Sequence, residues 1–190
     1  MPVMSDRRCR AGSLDNPVRR LFFPASRELD PLGITEGQRV VDVGAGVGFL
    51  APEVLRRIGP AGCLYLVEPD EANLAIAKRR CGLDARVGFS SESSAHMDSI
   101  PPGTIDRILL SLVLCCVVDK EATMAEAWRV LTPGGRALVS YPRFPSLPRR
   151  GRLSLRISPL GWGRLVSRFP WTIVSTTGRL IRRHVLEKPA

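Results

Sequence analysis

The stretch RVVDVGAGVGFL, residues 39–50, carries glycines at 44, 46 and 48, every second position, directly behind a run of β-formers. Glycine tolerates positive φ and brings no side chain, so this spacing marks a backbone that another group approaches closely. A strand, a glycine-rich turn and a helix leave free N–H groups at a helix N-terminus on the carboxyl edge of a sheet. That edge is the usual ligand crevice of open α/β sheets. The dinucleotide fingerprint G-x-G-x-x-G/A is not met, because Phe49 stands where its third glycine belongs. A Walker A loop is excluded, since no G-K-[ST] follows. The second apt residue is Glu68, which closes LYLVE 20 residues after Gly48. A carboxylate there can accept hydrogen bonds from both ribose hydroxyls of an adenosine. Its plainer use, capping the next helix, falls instead to Asp70.

Other reactive side chains are sparse. Cys9, Cys63, Cys81, Cys115 and Cys116 are odd in number and lack C-x-x-C spacing, and only His96 and His184 could join a metal centre. No disulfide framework and no metal site is expected. Cys115 and Cys116 read as a hydrophobic pair, with a thiol nucleophile or soft-metal binder as the alternative. No residue is singled out as a catalytic acid, base or nucleophile.

The elements that must position Gly44–Gly48 and Glu68 alternate along the chain. RVVDVG is a buried strand and FLAPEVLRRIG a helix ending at Gly59. CLYLVEP is a strand, DEANLAIAKRRCG a helix capped by Asp70 and closed at Gly82, and ARVGF a short strand. After the loop SSESSAHMDSIPPG, DRILLSLVLCC reads as one long apolar strand. DKEATMAEAWRVL is an amphipathic helix closed by TPGG, and RALVSYP is a fifth strand. Near-continuous apolar strands alternating with helices predict a parallel sheet covered on both faces. Upstream, NPVRRLFF reads as a short helix with Asn16 as cap and Pro17 at its first position. Downstream, a helix capped by Ser158, the strand WTIVSTT and the returning RRHVLEK complete the domain, although HVLEKPA makes a meagre last strand.

A chain of 190 residues with 44% hydrophobic and 24% charged residues fits one globular domain. No apolar run approaches the roughly 20 residues that span a bilayer, and the basic start has no apolar region behind it, so a cytoplasmic location is expected. The net charge of +10 lies wholly in residues 143–190, which hold 11 Lys/Arg against Glu187 alone. Such a patch suits nucleic acid, anionic lipid or an acidic small molecule, or is simply a solvated face.

The ordered series VVDVGAGVGF, LYLVEPD, IPPGTIDRILLSLVLCCVVD and EAWRVLTPGGRALVSYP, over about residues 36–142, resembles the class I S-adenosylmethionine-dependent methyltransferases of the UbiE-like, small-molecule type. That resemblance implies a Rossmann-like, doubly wound, mostly parallel seven-stranded sheet with an antiparallel C-terminal edge strand. It implies a helical cover over 1–35, the enzyme domain over 36–190, and a basic insertion over 143–157. S-adenosylmethionine is the implied cofactor. Gly44, Ala45, Gly46 and Gly48 would approach its methionine part and Asp42 its amino group. Glu68 would hold the ribose and Pro69 lie against the adenine. After strand three the family carries an acidic and a small residue. Here the sequence departs, and Ser94 and Ala95 are the expected pair, with Glu92 and Asp98 as rivals. Ser111 and Leu112 would lie beside the sulfonium.

The acceptor is less legible. The [DNS]-P-P-[YF] of exocyclic-amine methyltransferases is absent, since that place reads SLVLCC, and no Pro-Cys or Thr-Cys nucleophile occurs. A small molecule, anionic or amphipathic, is the expected substrate. The alternatives are an RNA methyltransferase using the basic quarter, or a non-catalytic binding or membrane-surface module on the same fold.

Overall fold

The computed structural model describes residues 23–142 and 157–190. The Asn16-capped helix and nearly all of the basic insertion fall outside them. Five strands run parallel: β1 (Arg39–Val43), β2 (Cys63–Val67), β3 (Val87–Ser90), β4 (Ile105–Ser111) and β5 (Leu131–Pro142). With β6 (Thr172–Thr177) and β7 (Ile181–Glu187) they form one seven-stranded sheet in the order β3-β2-β1-β4-β5-β7-β6. From β1 the chain first winds outward through β2 and β3, then crosses to β4 and β5 on the other side. The strand order therefore reverses between β1 and β4, which puts the glycine turn at the topological switch point.

Helices cover both faces because the strands are apolar on both. One layer packs α1 (Ala25–Leu29), the 3-10 turn Asp30–Leu32 and α2 (Ala51–Ile58) on Val40, Leu64, Leu66, Leu109, Leu138 and Val185. The other packs α4 (Lys120–Val130) and α5 (Pro159–Ser167) on Val41, Val43, Ile108, Leu110, Ala137, Val139 and Leu186. Between β2 and β3 runs α3 (Glu71–Cys81). Its cap is as expected: the Asp70 side chain accepts from the Ala72 and Asn73 N–H groups at 3.1 Å each. Asp70→Ala should cost about 1 kcal/mol in urea unfolding, and an unchanged midpoint would show that the cap is not used. Ser158 caps α5 in the same way, accepting from Gly161 N–H at 3.0 Å.

Three features depart from the linear expectation. The apolar run DRILLSLVLCC is not one strand: β4 stops at Ser111, and Leu112 turns the chain with φ of 61°. TPGG does not lie outside the sheet either. It bulges from β5, whose Leu131 pairs with Ile105 and whose Arg136 already pairs with Arg107. The last strand is not meagre, for all seven residues of β7 pair with β5, and it pairs with β6 on its other side. It runs antiparallel, as expected for the C-terminal strand, one place in from the edge that β6 forms.

β7 also buries His184, which stacks on Trp162 with ring centres 4.1 Å apart. Its Nε2 and Nδ1 lie 3.0 and 2.9 Å from Tyr141 Oη and Thr176 Oγ1. Burial, aided by the charge of Arg182, lowers its pKa from 6.5 to about 4. The unfolded chain therefore takes up this proton at a higher pH than the folded one, and stability falls as pH drops from 6.5 towards 4. The neutral ring accounts for a loss of about 2 kcal/mol between about pH 7 and pH 4.5. His184→Gln should flatten that slope in urea titrations at the two pH values, and an equal slope would refute the assignment. The depressed carboxyl of Glu53, held at about 2 first by Arg56 and then, against burial, by Arg57, acts lower, between its ordinary 4.5 and 2.

Candidate active site

β1 delivers Asp42, which is 3% exposed, to the carboxyl edge of the sheet, and the glycine turn follows at once. Gly44, Gly46 and Gly48 all adopt positive φ, at 67°, 57° and 70°. The turn is pinned to β2: the N–H groups of Gly44 and Ala45 both donate to Val67 O, at 2.8 and 3.1 Å. Two of the three glycines make room for the protein itself. A Cβ on Gly44 would stand 2.7 Å from Val113 Cγ2, and one on Gly48 would stand 3.2 Å from Ala77 Cβ of α3.

Gly46 faces Glu68. Its N–H donates to Glu68 Oε2 at 2.8 Å, while Asp70 N–H donates to Oε1 at 3.0 Å. Glu68 is 8% exposed, and Pro69 beside it is exposed. A carboxylate offers about four acceptor positions. The two backbone bonds occupy one on each oxygen and leave one on each. That remaining pair suits two neighbouring hydroxyls, as on a ribose, with Pro69 as an apolar shelf alongside. The acceptor pair of Glu68 and the exposed Pro69 thus fit the ribose and adenine of S-adenosylmethionine.

The strand-three segment is partly enclosed. Ser94 is buried and its hydroxyl pairs with Thr123 Oγ1 of α4 at 2.9 Å, leaving half-buried Ala95 as its partner in the turn. Of the rivals, Glu92 accepts from Ser90 and Ser99 at 2.7 and 2.5 Å. Burial alone would raise its pKa, but the hydrogen bonds from Ser99 and Ser90 outweigh it and hold the carboxyl below its ordinary value. Asp98 is exposed.

At the end of β4, Leu112 N–H donates to Ser140 O at 3.1 Å and to Ser140 Oγ at 3.3 Å. Its carbonyl accepts from the thiols of Cys115 and Cys116 at 3.0 and 3.6 Å, so both cysteines close the turn that presses Val113 against the glycine loop. Ser111 points elsewhere, donating to Glu28 Oε1 of α1 at 2.9 Å. Val113, Glu28, Ser140 and Arg183 are site neighbours that no sequence pattern flagged. Two surface concavities have linings separate from this crevice, one of about 640 Å³ lined by Pro52, Leu55 and Arg86 and one of about 540 Å³ between the starts of α4 and α5. Neither is lined by Asp42, the glycine turn or Glu68.

A family model described as "Methyltransferase domain" matches residues 41–139. Among curated proteins, the ubiquinone/menaquinone biosynthesis C-methyltransferase UbiE of Edwardsiella ictaluri is 32% identical over 126 residues, 64% of this chain and 50% of its own. That of Cronobacter sakazakii is 33% identical over 125 residues, 63% and 49% of the two chains. The chain thus spans about half the length of the curated relatives it matches. A solved SAM-dependent methyltransferase from Aquifex aeolicus superposes with a TM-score of 0.78 at 20% identity, covering 93% of this chain and 95% of that one. The [4+2]-cyclase SpnF superposes at 0.75 and 16% identity, covering 100% and 89%. Because a cyclase shares the architecture, the fold alone does not select the reaction.

Proposed function

This chain belongs to the Methyltransferase domain family, and from that membership we propose that it transfers the methyl group of S-adenosylmethionine to a small-molecule acceptor. The observation that carries the proposal is the Glu68 carboxylate, bonded to Gly46 N–H across the switch point with one acceptor position left on each oxygen. The bound cofactor supplies a methyl group already activated on a sulfonium, open to in-line displacement. The protein's share is then to hold, orient and exclude water. Glu68 holds the ribose hydroxyls and Pro69 flanks the adenine. The turn 44–48 and Asp42 accommodate the methionine part, Ser94 and Ala95 border the ring, and Leu112 bounds the reacting end, the Ser111 side chain being turned to Glu28. No base is required unless the acceptor must lose a proton during transfer.

The small-molecule class draws support from the UbiE relatives, whose own names describe C-methyltransferases of quinone biosynthesis. Part of the basic quarter's charge is engaged within the protein. Among its described members, Arg183 pairs with Glu28, Arg168 pairs with Glu121, and Lys188 donates to the carbonyls of Trp128 and Leu131. Among the described residues no helix is long and apolar enough to cross a membrane. The test is incubation with methyl-labelled S-adenosylmethionine and fractionated cell extract. Label should enter the small-molecule fraction and be lost in Glu68→Ala. Label in RNA would overturn the acceptor class, and no transfer to any fraction would overturn the enzymatic assignment.

A further inference from the structure

We infer that Glu28 is a positioning residue for the proposed methyl transfer: its buried carboxylate latches α1 to three strand ends and fixes the Leu112 turn against which the glycine loop rests. The inference rests on the function proposed above. Glu28 is 7% exposed, and its carboxylate lies far along the chain from every group it bonds. Its Oε1 accepts from Ser111 Oγ at 2.9 Å and from Ser140 Oγ at 2.6 Å, and its Oε2 accepts from Arg183 Nε at 2.6 Å. One carboxylate therefore gathers the ends of β4 and β5 and the start of β7.

Stability is a weak reason to keep such a cluster, since a buried ion pair is often matched or bettered by apolar residues of similar volume. The connection onward supplies a better one. Because Ser140 Oγ donates to Glu28, its lone pairs face Leu112 N–H at 3.3 Å. Leu112 is the one non-glycine residue with positive φ among the described residues. A leucine held there persists only where its surroundings over-determine it. The next residue, Val113, fills the space beside Gly44. Carboxylate, hydroxyl, amide and valine thus form one contiguous path from the N-terminal cover to the cofactor loop.

The discriminating variant is the apolar replacement E28L/R183L, compared with Glu28→Ala. Three quantities are read: the thermal midpoint, the affinity for S-adenosylhomocysteine by calorimetry, and amide exchange over residues 112–117. Glu28→Ala should lower the midpoint by stranding Arg183. The double variant should recover it, yet bind at least about five-fold more weakly and exchange at least about five-fold faster. A double variant within about two-fold of wild type in both affinity and exchange would overturn the inference. Should the double variant not fold, Ser140→Ala leaves the ion pair intact and cuts the same path, with the same outcomes expected. If the wild type does not bind S-adenosylhomocysteine, the proposed function fails. The exchange over 112–117 then still decides the latch, and its being unchanged refutes it.

Discussion

Gly44→Ala should destabilise the fold and weaken S-adenosylmethionine binding by at least about ten-fold, whereas Gly103→Ala should do only the first, and less. The two glycines share nearly the same backbone, with φ of 67° and 66°, so both substitutions carry the strain of a side chain in the left-handed region. That strain alone amounts to about 1–2 kcal/mol. They differ in what the new Cβ meets. At Gly103 nothing lies within 4 Å, whereas at Gly44 the Cβ would stand 2.7 Å from Val113 Cγ2. Overpacking of that kind adds about 1–3 kcal/mol and is relieved only by shifting the Val113 turn or the loop. Either shift disturbs the backbone that the cofactor's methionine part must approach. Equal affinity in the two variants would show that the contact between Val113 and the loop plays no part in binding.

The largest expected loss of affinity comes from Glu68→Ala. The substitution removes the acceptor of two backbone N–H groups, on Gly46 and Asp70, as well as both positions available to a ribose. Hydrogen bonds to a charged partner contribute about 1.5–3 kcal/mol each. Losing two such bonds to the ligand predicts a drop of at least about 100-fold in affinity. Glu68→Gln keeps the volume but turns a donor amide towards one of the N–H groups or hydroxyls, so it should bind poorly as well. A Gln variant with wild-type affinity would mean that the charge of Glu68 is not read by the ligand.

What could be read in advance was local. The glycine turn, the Asp70 cap and Glu68 each declare themselves within a few residues, because the backbone geometry of a strand–turn–helix unit demands those types at those places. The end of β4 does not declare itself. LLSLVLCC has the same apolar run whether it continues a buried strand or folds over a loop, and only the contact of Val113 with Gly44 decides it. The TPGG bulge is hidden for a related reason, since its extra residues matter only against the register of β4. Glu28 and Arg183 are 155 residues apart, so no window along the chain holds both. The glycines show a subtler limit. Their spacing correctly marks close approach, but at Gly44 and Gly48 the approaching groups are Val113 and Ala77, and it is Gly46 that faces Glu68. The place of β7 between β5 and β6 likewise follows from pairing across the sheet and not from any property of RRHVLEK itself.

The central claim is that the switch-point crevice bordered by the glycine turn and Glu68 holds S-adenosylmethionine, and calorimetric titration of the full chain with the cofactor and with S-adenosylhomocysteine tests it most directly. Saturable binding of both ligands is expected, largely abolished by Glu68→Ala and unaffected by Gly103→Ala. Absence of heat at millimolar ligand, or binding that survives Glu68→Ala unchanged, would contradict it.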